Sequence, residues 1–141
     1  MEQRSLTTAD LAGWVEALPT LATDVTDAER INRIRVLEEV KDAICAAQAR
    51  EAVALKQSVV AAETERGVPA KKRGRGVAAQ VALARRESPH RGDRLMGLAQ
   101  ALVNELPHTM TALTHGQISE WRATLVFRET ARLTRADLLA A

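Results

Sequence analysis

TDAERINRIRVLEEVKDAICAAQAREAVALKQSVVAAETER, residues 26–66, is the stretch whose reading decides the fold. It contains neither Pro nor Gly, so nothing in it interrupts a helix. Thr26-Asp27-Ala28-Glu29 reads as a capping box, in which the Thr hydroxyl accepts an early backbone N–H while Glu29 reaches back. Ile31, Ile34, Leu37, Val40, Ile44 and Ala47 recur at helical spacing, and the stripe then drifts to Ala52, Leu55, Val59 and Ala62. At 1.5 Å per residue this helix spans about 58 Å. A domain of this size cannot cover that length, so the helix is expected to bend, break or pack against a second chain.

Upstream, Thr7 or Thr8 caps a short helix, TADLAGWVEAL, that Pro19 ends. Its Trp14 and Leu18 are expected to form a small apolar face docked on the main body. Downstream, Gly67-Val68-Pro69 stops the long helix and AKKRGRG (70–76) follows as a flexible loop. The helix VAAQVALARRE comes next, and then Ser88 is the N-cap of another helix with Pro89 at its first position. There Leu95, Leu98, Ala99, Leu102 and Leu106 line one face. Pro107 opens HTMTALTH, which Gly116 closes. Ser119 caps ISEWRATLVFRETARL, with Trp121, Leu125 and Leu133 as expected core anchors.

The fold expected is all-α: a multi-helix domain with one long N-terminal helix followed by shorter packed helices. Residues 1–25 form a short helix and linker, and residues 26–141 the helical domain. Thr134-Arg135-Ala136-Asp137 looks like one more cap, close to the end of the sequence. An element that begins and ends within two turns is expected of a domain cut from a longer protein.

Composition agrees. Hydrophobic residues make up 46%, yet the aromatics are only Trp14, Trp121 and Phe127. The apolar mass is Ala, Leu and Val, which favours close-packed helices. No apolar run approaches the roughly 20 residues that span a bilayer, and MEQRSLTTAD is no signal peptide. One cysteine, Cys45, suits a reducing compartment, so a cytoplasmic protein without membrane attachment is expected.

The formal net charge of +2 hides an asymmetry. Residues 1–65 hold 7 Lys/Arg against 12 Asp/Glu, residues 66–94 hold 9 against 2, and residues 95–141 hold 4 against 4. Basic charge concentrated in the middle third speaks to partners more than the total does. Lys71, Lys72, Arg73 and Arg75 on a Gly-rich loop can follow a phosphate backbone and release its counterions. The plainer reading is a solvated loop, or one neutralised by the acidic long helix.

ARRESPHRGDRLM (84–96) can be the second half of a helix-turn-helix. VAAQVALA would then be the supporting helix, with Ala82 small enough for close approach. Ser88, His90, Arg91 and Arg94 would face DNA, and Arg85 and Arg86 would extend the same patch. Two residues depart from that motif. Arg86 stands where the tight turn usually has Gly, and Gly92 stands where an apolar residue usually packs between the helices. An ordinary helical corner with a polar first turn is the alternative.

Catalysis finds little support. His90, His108 and His115 have no Cys or carboxylate at ligand-like spacing, and His108 and His115 are expected on exposed faces. Glu38, Glu39 and Asp42 alternate with Arg35 and Lys41 as a surface charge lattice. No metal, cofactor or small-molecule ligand is expected on this chain.

Several strings are more specific than any charge pattern: the Arg/Gly loop, RRESPHRG, LA-x-AL-x-x-ELP-x-T-x-x-AL and GQIS-x-W-RA. With the long helix they span most of residues 26–133. They resemble the actinobacterial domain of unknown function that precedes HNH nuclease domains, including the mycobacterial 13E12 repeat proteins. The resemblance implies a module of HNH-endonuclease-like proteins. HNH chemistry uses a histidine base and a bound metal ion, and no position here matches those motifs, so no catalytic residue carries over. The nuclease segment would lie downstream.

Two functions follow from these readings. In the first, an accessory domain contacts DNA through residues 70–94. In the second, a helical assembly module forms homodimers through residues 27–65 with no nucleic-acid role. An enzyme in its own right ranks third.

Overall fold

Short polar side chains and left-handed turns set the helix boundaries. The computed structural model describes residues 2–131, 133 and 135–140. Among them are seven α-helices and no strand: α1 (Thr8–Ala17), α2 (Asp27–Glu65), α3 (Val77–Ala84), α4 (Pro89–Asn104), α5 (Pro107–Thr114), α6 (Glu120–Thr130) and α7 (Arg135–Ala140). They form two units, one ending at Arg35 and the other beginning at Val36. The cap expected at Thr134 lies outside the described residues.

In the first unit Thr7 is the N-cap of α1. Its hydroxyl accepts the Asp10 N–H at 3.2 Å and its own N–H donates to Asp10 Oδ2 at 2.8 Å. That backbone bond, then Arg4 and the Thr7 hydroxyl, hold the Asp10 carboxyl below its usual range. No residue of α1 is buried, and Trp14 and Leu18 are exposed. Thr26 accepts the Glu29 N–H at 3.1 Å, which is the hydroxyl half of the expected box. Arg30 and Arg33 donate back to the carbonyls of Thr23, Val25 and Ala22, clasping the linker onto the first turns of α2.

The second unit is built around α4. Ser88 accepts the Arg91 N–H at 3.2 Å, Pro89 presets the first turn, and Leu95, Met96, Leu98, Ala99, Ala101 and Leu102 are buried. Leu102, Leu106 and Leu113 are almost wholly enclosed, each contributing about 1.5–3 kcal/mol by burial. Val77 and Ala82 of α3, Met110 of α5 and Ala123 of α6 complete the core with α2.

α2 runs unbroken for 39 residues. Of the three outcomes expected for so long a helix, it does not break. Its buried face meets the expected stripe only in part: Ala52 is buried and Leu37, Val40 and Val59 are half-buried, as expected, but the rest differs. Ala46, Ala49, Ala52 and Val53 are buried, while Ile31 and Ile34 are 69% and 67% exposed and Ile44 is exposed too. Within the second unit the small Ala46, Ala49 and Ala52 take the buried positions of α2, while the larger Ile44 stays out. The same correction applies to α6 and the residues after it. Trp121 is 59% exposed with Arg128 over its ring at 5.4 Å, and Leu125 and Leu133 are exposed. Ala123 and the half-buried Phe127 hold α6 to the core instead.

Three helices end in the same way. After α2, the Val68 N–H donates to the Glu63 carbonyl at 3.0 Å and the Gly67 N–H to Thr64 at 3.1 Å. After α3, Glu87 donates to Ala82 at 2.8 Å and Arg86 to Leu83 at 3.1 Å. After α5, Gln117 donates to Ala112 at 2.8 Å and Gly116 to Leu113 at 3.1 Å. This paired pattern needs a left-handed residue just past the helix. Gly67 and Gly116 supply it at φ +76° and +71°, and Arg86 does so at φ +57°.

Candidate nucleic-acid interface

Nine residues in the basic middle third are the sequence's site candidates, and the structure sorts them. The loop expected to be flexible is organised. Residues Ala70–Lys72 make a 3-10 turn, with the Lys72 N–H donating to Pro69 at 2.8 Å. The Arg73 Nε donates to the Val68 carbonyl at 2.9 Å and the Gly74 N–H donates to Glu63 Oε1 at 2.9 Å. Arg73 is thus partly spent on the turn, while Lys71, Lys72 and Arg75 are exposed and make no ion pair among the described residues.

α3 has eight residues, about 12 Å of helix. The 71–75 cations therefore precede its start, and those of 85–94 follow its end. Gly92 explains how tightly α3 rests on α4. A Cβ there would stand 2.6 Å from both the Ala78 carbonyl oxygen and the Ala82 Cβ. The residue that departs from the helix-turn-helix pattern is thus the one that lets these helices touch. Arg86 departs too, yet takes the left-handed backbone that a glycine gives such a turn.

Past that turn Arg86, His90, Arg91 and Arg94 are exposed. The Arg91 Nε pairs with Glu87 at 3.2 Å across one turn, while Arg86, His90 and Arg94 make no ion pair among the described residues. Arg85 points the other way. Its guanidinium meets Glu120 at 3.2 Å with both side chains only 20% exposed, joining the end of α3 to α6. The Cys45 thiol lies beside that pair. Burial first, then the Glu120 carboxylate, push it up to about 11, so it is neutral and a poor nucleophile.

Asp42 is buried on α2, and desolvation, followed by Glu38, raises its carboxyl above the usual range. It belongs to an acidic face on which Gly116 closes, since a Cβ at Gly116 would stand 2.6 Å from the Glu39 Cβ. His108 and His115 are exposed, as expected. Among the described residues no three His, Cys, Asp or Glu are grouped as metal ligands, and no helix is long and apolar enough to cross a membrane.

Sequence reasoning missed Leu83, which is 80% exposed two residues before Arg85. An apolar residue at the end of a short helix gives no sequence signal of its exposure. It also missed the inward turn of Arg85, because adjacent arginines look alike until α6 is placed.

Fold and surface together define an all-α domain with an organised, exposed basic region around one short helix. Residues 39–141 match the family described as a domain of unknown function (DUF222), and the chain belongs to that family. No curated protein and no solved structure matches it.

Proposed function

We propose that this DUF222 domain is a DNA-binding accessory module of an HNH-endonuclease-like protein. The observation that carries the reading is the set of exposed cations that make no ion pair among the described residues at both ends of α3: Lys71, Lys72 and Arg75 before it, Arg86 and Arg94 after it. His90 and Arg91 stand on the first turn of α4 beside them. Phosphate contacts of this kind position a protein on a duplex without reading its sequence. Arg85 is left to its Glu120 partner and Arg73 in part to its turn. The link to a nuclease rests on the resemblance of the RRESPHRG and GQIS-x-W-RA strings.

The test is duplex binding by the isolated chain, followed by fluorescence anisotropy as salt is raised. Affinity should fall steeply, and replacing Lys71, Lys72 and Arg75 with Ala should flatten the log–log slope by about 2.7. No binding at 50 mM salt would overturn the reading.

A second reading has its own observation. Ile31, Ile34, Ile44 and Leu55 of α2 are exposed, as a helix that pairs with a second copy would require. A homodimer that dissociates on Ile34→Asp and Ile44→Asp, measured by light scattering, supports an assembly role. A strict monomer at high concentration removes it.

A further inference from the structure

α4 carries two glycines, and packing explains only one of them. Gly92 has no room for a methyl group, as its 2.6 Å approaches to α3 show. Gly97, in the middle of the helix, has room: a Cβ there would meet nothing closer than the Phe127 ring at 4.0 Å. A glycine inside a helix destabilises it relative to alanine, so Gly97 is a cost that the protein's own packing does not require. It lines an open cleft of ≈ 340 Å³ between α2, the start of α3 and α4.

The side chains around this cleft are of three kinds. Lys56 and Arg75 are cations that make no ion pair among the described residues. Gly74 leaves room for the Lys56 stem, whose Cε lies 3.4 Å from where a Gly74 Cβ would stand. Asp93 and Gln100 bring an acceptor and an amide, spaced with Met96 and Gly97 along one face of α4. Met96 is buried beneath this face, so the bare backbone at Gly97 gives the apolar section between the two polar groups.

We propose that this cleft binds one nucleotide unit, with the phosphate on Lys56 and Arg75, the base over the bare backbone at Gly97, and the polar edges of base or sugar on Asp93 and Gln100. The volume lies at the lower end of the range for small-ligand sites. A phosphate alone would leave Asp93 as a repulsive neighbour, whereas a nucleotide presents it with amino or hydroxyl donors. The choice of ligand rests on the nucleic-acid reading above, but the site is distinct from the exposed cations at the far end of α3. The unit can be a free nucleotide or the end of a strand.

Titration of the whole chain with thymidine and deoxyadenosine 5′-monophosphates, followed by calorimetry and by backbone amide shifts, tests this. Saturable binding in the millimolar range or tighter is expected, with shifts confined to residues around 56, 74–78 and 93–100. Inorganic phosphate and the free nucleosides should bind at least tenfold more weakly. Lys56→Met keeps the stem and should weaken nucleotide binding about tenfold, the loss of one charge-assisted contact. Gly97→Ala should raise Tm by a few degrees while weakening binding, an opposition that a purely structural glycine would not produce.

A 5′-phosphorylated single strand that displaces the mononucleotide identifies strand ends as the source, and one that does not identifies free nucleotides. No saturable binding by 10 mM, phosphate binding as well as nucleotide, or nucleotide binding untouched by both variants would each overturn the assignment. Duplex binding that survives such a result leaves the basic-surface reading standing. Nucleotide binding without duplex binding removes that reading and keeps this one.

Discussion

The α3–α4 corner and the α5–α6 corner are built on one plan. Each helix ends with the same pair of backbone hydrogen bonds and a left-handed residue, and a serine then caps the next helix by accepting an arginine N–H at 3.2 Å. What differs is the left-handed residue and what faces it. Gly116 lies against Glu39 on the acidic face of α2, where no Cβ fits. Arg86 faces solvent beside His90 and Arg91, where a side chain costs only backbone strain. One turn therefore serves as a packing joint in the first place and as a mount for a cation in the second. Retaining arginine at a left-handed position, when glycine would relieve it, fits a surface whose charge is used.

Breaking the packing joint should have the largest effect. Gly116→Ala forces a methyl into α2 and strains the backbone, and a loss of about 2–4 kcal/mol is expected by denaturant unfolding. The solvent-facing corner has its own version of this at Gly92, where alanine should cost a similar amount by separating α3 from α4. Next come the caps. Ser88→Ala and Ser119→Ala should each lose about 1 kcal/mol, and unequal losses would show that the corners are less alike than their hydrogen bonds.

Arg86→Gly sharpens the contrast by changing the sign. It should gain about 0.5–1 kcal/mol of stability by relieving the left-handed strain while reducing the salt slope of duplex binding by about 0.9. Stability gained with unchanged binding would make Arg86 a tolerated accident. The smallest effect belongs to the acidic face. The folded Asp42 carboxyl titrates above its unfolded value of 3.8, so the native state holds its proton longer. Stability should fall as pH rises from about that value through the raised folded one. Asp42→Asn should flatten this segment of the pH profile and gain about 0.5 kcal/mol or less at pH 7.

Much of this plan was legible because it is local. Ser88-Pro89, Pro107, Gly116 and Ser119 mark helix ends by chemistry that acts within one turn, and the uninterrupted run after Thr26 could only be a helix. The burial choices were not legible. Hydrophobicity favoured the isoleucine stripe of α2, which foresaw the buried Ala52 but not the buried Ala46 and Ala49. Trp121 looked like an anchor for the same reason. Gly92 read as a defect in a DNA-binding motif until its contact with Ala82 gave it a role. The cleft draws on residues 56, 74–78 and 93–100, which no spacing rule joins.

Cys45 is the only cysteine in the sequence, and its thiol sits half-buried beside the Arg85–Glu120 pair. With its titration pushed up to about 11, alkylating reagents at neutral pH find almost no thiolate in the folded protein. Opening around Cys45 would return the thiol toward its ordinary range and speed its modification, so a rise in that rate reports local unfolding. The unmodified protein thus carries its own reporter of how readily the second unit loosens around Cys45.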